Sequence, residues 1–186
     1  MRRTYKIFIL SSISIFLIVS CAFLIFTYQT KQDSPEEIVY HAADLCNFVL
    51  YYNRPFVKER KIFGNLVPYN QIWRTGANEP TTLTFDKDIL LDGSLLKKGT
   101  YSLWTVPKPS SWKILLNSRQ YCWGINLDGS VARDPQYDAL VIEVPSYQLT
   151  ELVEQFTISF KNKNEFIMLT LEWENTGVRV PIQVIP

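Results

Sequence analysis

Residues 53–80 concentrate the side chains of this sequence that are best suited to hold a polar ligand. The candidates are Arg54, Arg60, Trp73, Arg74, Asn78 and Glu79. Guanidinium and amide groups bind polar or anionic groups by hydrogen bonds, and an indole stacks on flat ligand faces. The stretch lacks regular alternation, and long irregular connections often carry binding residues. We therefore expect a ligand site here. The alternative is that Arg60 and Arg74 pair with Glu79 or cap backbone carbonyls and so fix the loop.

A second candidate group is aromatic and consists of Tyr101, Trp104 and Trp123. Tyr101 and Trp104 have opposite phase within one alternating run, so one of the two is expected to face outward. An outward ring can stack on a sugar or a peptide, or it can plug the open end of a sandwich. We expect the aromatic group and the first group to line one concave end of the domain.

Enzymatic chemistry has little support in the residue types. The single histidine, His41, lies at the end of the predicted stalk, so triads with an imidazole inside the domain and multi-histidine metal sites are not expected. Glu79, Asp138, Glu172 and Glu174 could supply an acid and a base for glycoside hydrolysis. Glu172 and Glu174 fall on the polar face of a predicted strand, where a solvated charge is the simpler interpretation. We expect a binding module with no catalytic residue, no metal and no cofactor.

Charge and cysteine content narrow the partners further. The formal net charge is +1 and the basic residues are scattered, which argues against a nucleic-acid partner. Cys46 and Cys122 could form a disulfide in an oxidising compartment or remain free thiols. No cysteine spacing of a zinc site is present in the sequence.

Apolar side chains recur at every second position after about residue 40, which predicts β-strands. The predicted strands are residues 46–52, 81–85, 99–106, 112–117 and 140–144. A three-stranded meander follows at 156–161, 167–174 and 178–184, with turns at 162–164 and 175–177. Only residues 147–155 have helical character. The predicted fold is an all-β antiparallel sandwich, jelly-roll or Ig-like.

The N-terminal segment predicts a membrane helix. Residues 7–26 carry no charge and would span roughly 30 Å as a helix, the thickness of the hydrocarbon core. Arg2, Arg3 and Lys6 precede the run and place the C-terminal side outside the cytoplasm. The predicted organisation is a cytoplasmic basic tip at 1–6, a transmembrane helix or signal anchor at 7–26, a polar stalk at 27–40 and an extracytoplasmic domain at 41–186.

Two other fates of the N-terminal segment remain open. The residues before Cys21 resemble a lipobox, in which Cys21 would be acylated, but the apolar run continues beyond that cysteine. A cleaved signal peptide is the other alternative, although no small-x-small site follows the run. All three fates deliver the domain to the same side of the membrane.

Several motifs resemble a known family. They include Tyr-Tyr-Asn-Arg-Pro at residues 51–55, Trp-Arg-Thr-Gly-Ala-Asn-Glu at 73–79, Gly-Thr-Tyr-Ser-Leu at 99–103 and Leu-x-Trp-Glu at 171–174. Together they are similar to an uncharacterised bacterial family, domain of unknown function 2911, over roughly residues 45–185. The resemblance implies an exported or lipid-anchored protein and no assigned activity.

The predicted function is therefore a membrane-anchored, extracytoplasmic binding module for a small polar, glycan or peptide ligand. The alternatives are a carboxylate-based enzyme acting on cell-envelope glycan and a structural envelope protein that associates through a sheet edge.

Overall fold

The computed structural model describes residues 2–43, 46–163 and 165–185, which form a helical unit and a β-domain. Helix α1 runs from Arg2 to Asp33. Its portion Ile9–Asp33 is long and apolar enough to cross a membrane. The predicted N-terminal apolar helix is thus confirmed as an element. Asn164, in the predicted turn at 162–164, lies outside the described residues.

The predicted stalk at residues 27–40 contains the last turns of α1 and the start of strand β1 (Glu36–Ala43). Adding residues to an existing helix costs much less than starting one, so polar residues after an apolar run can extend it. Strand β1 pairs with strand β2 (Cys46–Asn53), with Glu36 opposite Asn53. The regular structure of the domain therefore begins within three residues of the end of α1.

Seven further strands complete the domain. They are β3 (Thr81–Phe85), β4 (Ile89–Leu91), β5 (Ser94–Leu96), β6 (Gly99–Pro107), β7 (Ser111–Asn117), β8 (Asp138–Lys163) and β9 (Phe166–Val184). Neighbouring strands are antiparallel, in the order β1-β2-β3-β6-β7-β8-β9-β4-β5. The five short predicted strands all fall within β2, β3, β6, β7 and β8.

Strand β8 converts this ladder into two facing layers. Its residues 138–145 pair with β7, and its residues 146–163 pair with β9. The ring of Phe48 in β2 lies 5.5 Å from that of Phe160 in β8, and Tyr52 lies 5.9 Å from Phe156. Residues from both layers share one buried apolar cluster. The antiparallel sandwich predicted from the alternation is confirmed.

Two local predictions in the C-terminal half are wrong. Residues 147–155, predicted as a short helix, belong to β8, and the predicted turn at 175–177 lies inside β9. Tyr147 pairs with Gly177, and the register shifts before and after Val153. A Cβ atom on Gly177 would lie 2.6 Å from the Tyr147 ring, so this glycine permits a close approach rather than a turn.

Candidate functional site

Arg54 and Arg60 support the connection that follows β2. Arg54 Nε donates to the Phe156 carbonyl at 3.1 Å, and its guanidinium lies 3.1 Å from the Glu37 carboxylate. Arg60 is exposed, and its Nε donates to the Val57 carbonyl at 2.9 Å. Both side chains cap backbone carbonyls, which was the structural alternative for Arg60.

Trp73 anchors the candidate loop in the core. Its ring stacks on that of Trp173 at 5.8 Å and lies 5.0 Å from that of Phe156. Its backbone N–H donates to the Thr105 carbonyl at 2.8 Å, and its indole N–H donates to the Gly76 carbonyl at 2.9 Å. Trp73 therefore positions the loop from inside the sandwich and does not provide a stacking surface on the outside.

The side chain of Arg74 points to the opposite side of the same extended segment, because successive side chains alternate and Trp73 points inward. Its aliphatic stem packs on Gly124, where an added Cβ would lie 2.2 Å from Arg74 Cδ. Its Nε is buried and has no hydrogen-bond partner among the described residues. Burial lowers the pKa of the Arg74 guanidinium from its ordinary value. A buried charge without an acceptor is costly to the fold.

The backbone after Arg74 is strained. Thr75 and Asn78 have φ values of 56° and 55°, and Gly76 has a φ of 150°. Positive φ is rare for a β-branched residue and costs on the order of 1–3 kcal/mol. The Thr81 hydroxyl donates to the Thr75 carbonyl at 2.5 Å, and a Cβ on Gly76 would lie 2.8 Å from the Asn53 carbonyl oxygen. Surrounding contacts therefore hold the loop in one costly conformation.

Asn78, Glu79 and Trp123 lie around the same loop. Asn78 is buried, and its carbonyl accepts a hydrogen bond from the Gly124 N–H at 3.1 Å. The Glu79 carboxylate accepts a hydrogen bond from the Asn53 amide at 3.0 Å. Trp123 is half-buried and directly precedes Gly124. Through Gly124, the loop at 73–79 is joined to the irregular segment 118–137.

Tyr101 and Trp104 lie on opposite faces of β6. Tyr101 points inward, where its ring stacks on Phe85 at 5.6 Å, and burial raises the pKa of its hydroxyl. Trp104 lies on the outer face, as expected for one of the two. It is fully buried there under segment 118–137, with the Tyr121 ring edge-on at 5.6 Å. Its indole N–H donates to the Ser102 hydroxyl at 2.9 Å. Neither ring forms an open platform for a ligand.

A polar network that the sequence did not reveal lies beneath segment 118–137. The Asp138 carboxylate accepts from the Asn117 amide at 2.8 Å and from Arg133 at 2.9 Å. The Tyr121 hydroxyl donates to Asn117 Oδ1 at 3.1 Å. Arg133 Nε is buried, and it too lacks a partner within the described parts of the chain. Segment 118–137 has no periodic pattern, so its contact with the outer face of the sheet could not be predicted.

The carboxylates of the enzyme alternative are engaged in hydrogen bonds at separate places. Glu79 and Asp138 hold the contacts given above. The Glu172 carboxylate accepts from the Tyr147 hydroxyl at 2.7 Å, and burial raises the pKa of Tyr147 to about 12. The Glu174 carboxylate accepts from the Ile62 N–H at 3.1 Å. Each contact fastens a strand or a loop to its neighbour.

The remaining candidate side chains are accounted for as follows. Cys46 is buried, Cys122 and Cys21 are exposed, and all three are free thiols. Burial raises the pKa of the Cys46 thiol. His41 lies in β1, where its ring stacks on Phe160 at 5.3 Å. Of the two alternatives for Cys46 and Cys122, the structure has the free thiols.

A groove opens where the segment before Trp73 meets the end of segment 118–137. It has a volume of about 470 Å³ and is lined by Gln71, Ile72, Val131, Arg133 and Pro135. This volume lies in the range of small-molecule sites. Ile72 precedes Arg74 by two positions, so the groove is lined by the segment that leads into the loop at 73–79.

Comparison with known proteins gives a family and nothing more specific. The sequence model of a family described as protein of unknown function, DUF2911, matches residues 34–182. No curated protein and no solved structure matches the chain.

Proposed function

The chain belongs to the DUF2911 family, and from that premise we propose that it is a membrane-anchored binding module for an anionic ligand. Helix α1 serves as the anchor, and the basic residues before its apolar run favour an extracytoplasmic β-domain. A membrane-impermeant maleimide applied to intact cells tests the sidedness, because Cys122 is exposed. Labelling only after the cells are broken would overturn it.

The observation that carries the proposal is the buried Nε of Arg74, which has no hydrogen-bond partner among the described residues. Leaving a buried donor unsatisfied costs more than a typical hydrogen bond contributes, and the cost is greater for a charged group. A carboxylate or phosphate of a ligand would supply the missing acceptor through a short, charge-assisted hydrogen bond. Arg54 and Arg60 already have carbonyl or carboxylate partners, so Arg74 is distinguished from them by its surroundings.

The strained loop supports the same conclusion. Thr75, a β-branched residue, keeps its unfavourable positive φ in a part of the chain anchored by Trp73 on one side and Thr81 on the other. Strain of this kind clusters at sites where the backbone must be held ready for a ligand. A rigid loop reduces the entropy that binding would otherwise cost. The arrangement is that of a preformed site.

The test is anion binding by the full chain in detergent micelles. Inorganic phosphate and acetate, titrated at constant ionic strength, should raise the melting temperature of the wild-type protein. At an anion concentration of about 100 Kd, the stabilisation is about 2.7 kcal/mol. Arg74→Met removes the charge, keeps an unbranched side chain and should abolish the response.

Arg60→Met is the matched control, because Arg60 is an exposed arginine of the same connection. It should leave the response to both anions intact. An equal loss of response in both variants, or no response in the wild-type protein, would refute the assignment of the site to Arg74.

A further inference from the structure

The groove beside the candidate site has a mixed chemical character. Ile72, Val131 and Pro135 give it an apolar wall, and Arg133 gives it a cation. Ligand sites commonly combine an apolar lining with a few polar groups that fix the orientation of the ligand. The groove therefore suits a molecule with two unlike parts better than a simple inorganic ion.

The arginines in this part of the domain differ in whether they have an acidic partner. Arg133 forms an ion pair with Asp138 at 2.9 Å, and Arg119 lies 3.8 Å from Asp134. Arg74 has no such pair among the described residues, and the Nε atoms of both Arg74 and Arg133 lack acceptors. Two buried Nε donors, those of Arg74 and Arg133, thus remain without acceptors among the described residues. An anionic group of a ligand would supply acceptors for such donors.

We propose that the groove binds a small amphiphilic anion, a carboxylate or a phosphate monoester attached to a compact apolar body. In this proposal the anionic group binds Arg133, which lines the groove, and Arg74, and the apolar body packs on Ile72, Val131 and Pro135. This inference rests on the proposed function, because it takes the anion at Arg74 as given. It adds the class of the ligand.

Two pairs of probes test the class. Phenyl phosphate is compared with inorganic phosphate, and phenylacetate with acetate, by titration calorimetry on the full chain in detergent. Burial of the phenyl ring should lower Kd at least tenfold within each pair. Because one ring is common to both pairs, the comparison separates the contribution of the apolar body from that of the anionic group.

Val131→Ser should remove most of the gain from the phenyl ring and leave the binding of inorganic phosphate unchanged. Ile125→Ser is the matched control, since Ile125 and Val131 face each other across one bridge and are both 37% exposed. Ile125 is not part of the groove lining, so its variant should keep the phenyl gain. Equal losses in both variants would contradict a specific contact at Val131.

The outcomes separate this inference from the proposed function. If phosphate binds through Arg74 but the phenyl ring brings no gain, the amphiphilic ligand is refuted and the anion site stands. If the phenyl probes bind tightly and Arg74→Met has no effect, the groove is a site but the assignment to Arg74 fails. If no probe binds, both proposals fall.

Discussion

The inner and outer sides of the sandwich bury polar donors under opposite conditions. On the inner side, between the two layers, the indole N–H groups of Trp112 in β7 and Trp173 in β9 lack partners, and on the outer side the Nε atoms of Arg74 and Arg133 lack them, within the described residues. A neutral orphan donor costs about 1–3 kcal/mol. Burying an indole ring of 150–250 Å² contributes about 4–6 kcal/mol to stability. This burial offsets the cost of the two unpaired indole N–H groups.

The burial of the unpaired Nε atoms of Arg74 and Arg133 has no comparable compensation. Desolvating a charged group costs several kcal/mol, and the stem of an arginine returns less apolar area than an indole. Arg133 recovers part of the cost through Asp138, whereas Arg74 has only the packing of its stem on Gly124. An unsatisfied donor therefore points to function only where local packing cannot offset its cost. Three predictions test that distinction.

The largest effect is expected at the inner face. Trp112 is fully buried and lies 4.9 Å from the Phe63 ring, so Trp112→Ala should lower the unfolding free energy by about 3–5 kcal/mol. For a chain of this size, the melting temperature should fall by about 10 °C. Thermal melts followed by circular dichroism measure this. The half-buried Trp123 is the control, and Trp123→Ala should cost clearly less. Similar losses of unfolding free energy in both variants would contradict the contrast between the core and segment 118–137.

An intermediate effect is expected at the buried ion pair of the outer face. Asp138→Ala leaves Arg133 without its carboxylate and should cost about 3 kcal/mol. The double variant Asp138→Ala with Arg133→Met removes the stranded charge and should be more stable than Asp138→Ala alone. Urea unfolding of the wild type, both single variants and the double variant closes the cycle. Strict additivity of the two substitutions would show that the pair is not coupled.

The smallest effect has the opposite sign. In ligand-free protein, Arg74→Met should raise the unfolding free energy by about 1 kcal/mol, because an unpaired buried charge is replaced by an apolar side chain. The melting temperature should rise by about 2–4 °C. Arg54→Met, which breaks a hydrogen bond to Phe156 and an ion pair with Glu37, should lower it. A destabilised Arg74→Met protein would place Arg74 among the structural residues.

Part of the candidate site could be read from the residue types. Arg74, Asn78 and Glu79 are close in sequence, and a short loop keeps such residues together in space. The same proximity suggested Arg54 and Arg60. The partner of Arg54, Phe156, lies on a distant strand and could not be inferred, whereas Arg60 caps the nearby Val57 carbonyl, one of the two possibilities left open for it. Arg133 was missed because its partners are also set by the tertiary fold. Its relation to Ile72 exists only because segment 118–137 folds over the outer face of the sheet.

The sequence by itself determined the apolar helix, most of the strands and the sandwich, because each depends on a local period of side chains that burial enforces. Only the tertiary structure decided that 147–155 continues a strand, that Trp104 is covered and that Arg74 Nε has no acceptor among the described residues. Those outcomes depend on which residues meet across large separations in the chain. Pairing partners, and not local preference, determine whether a polar side chain is satisfied.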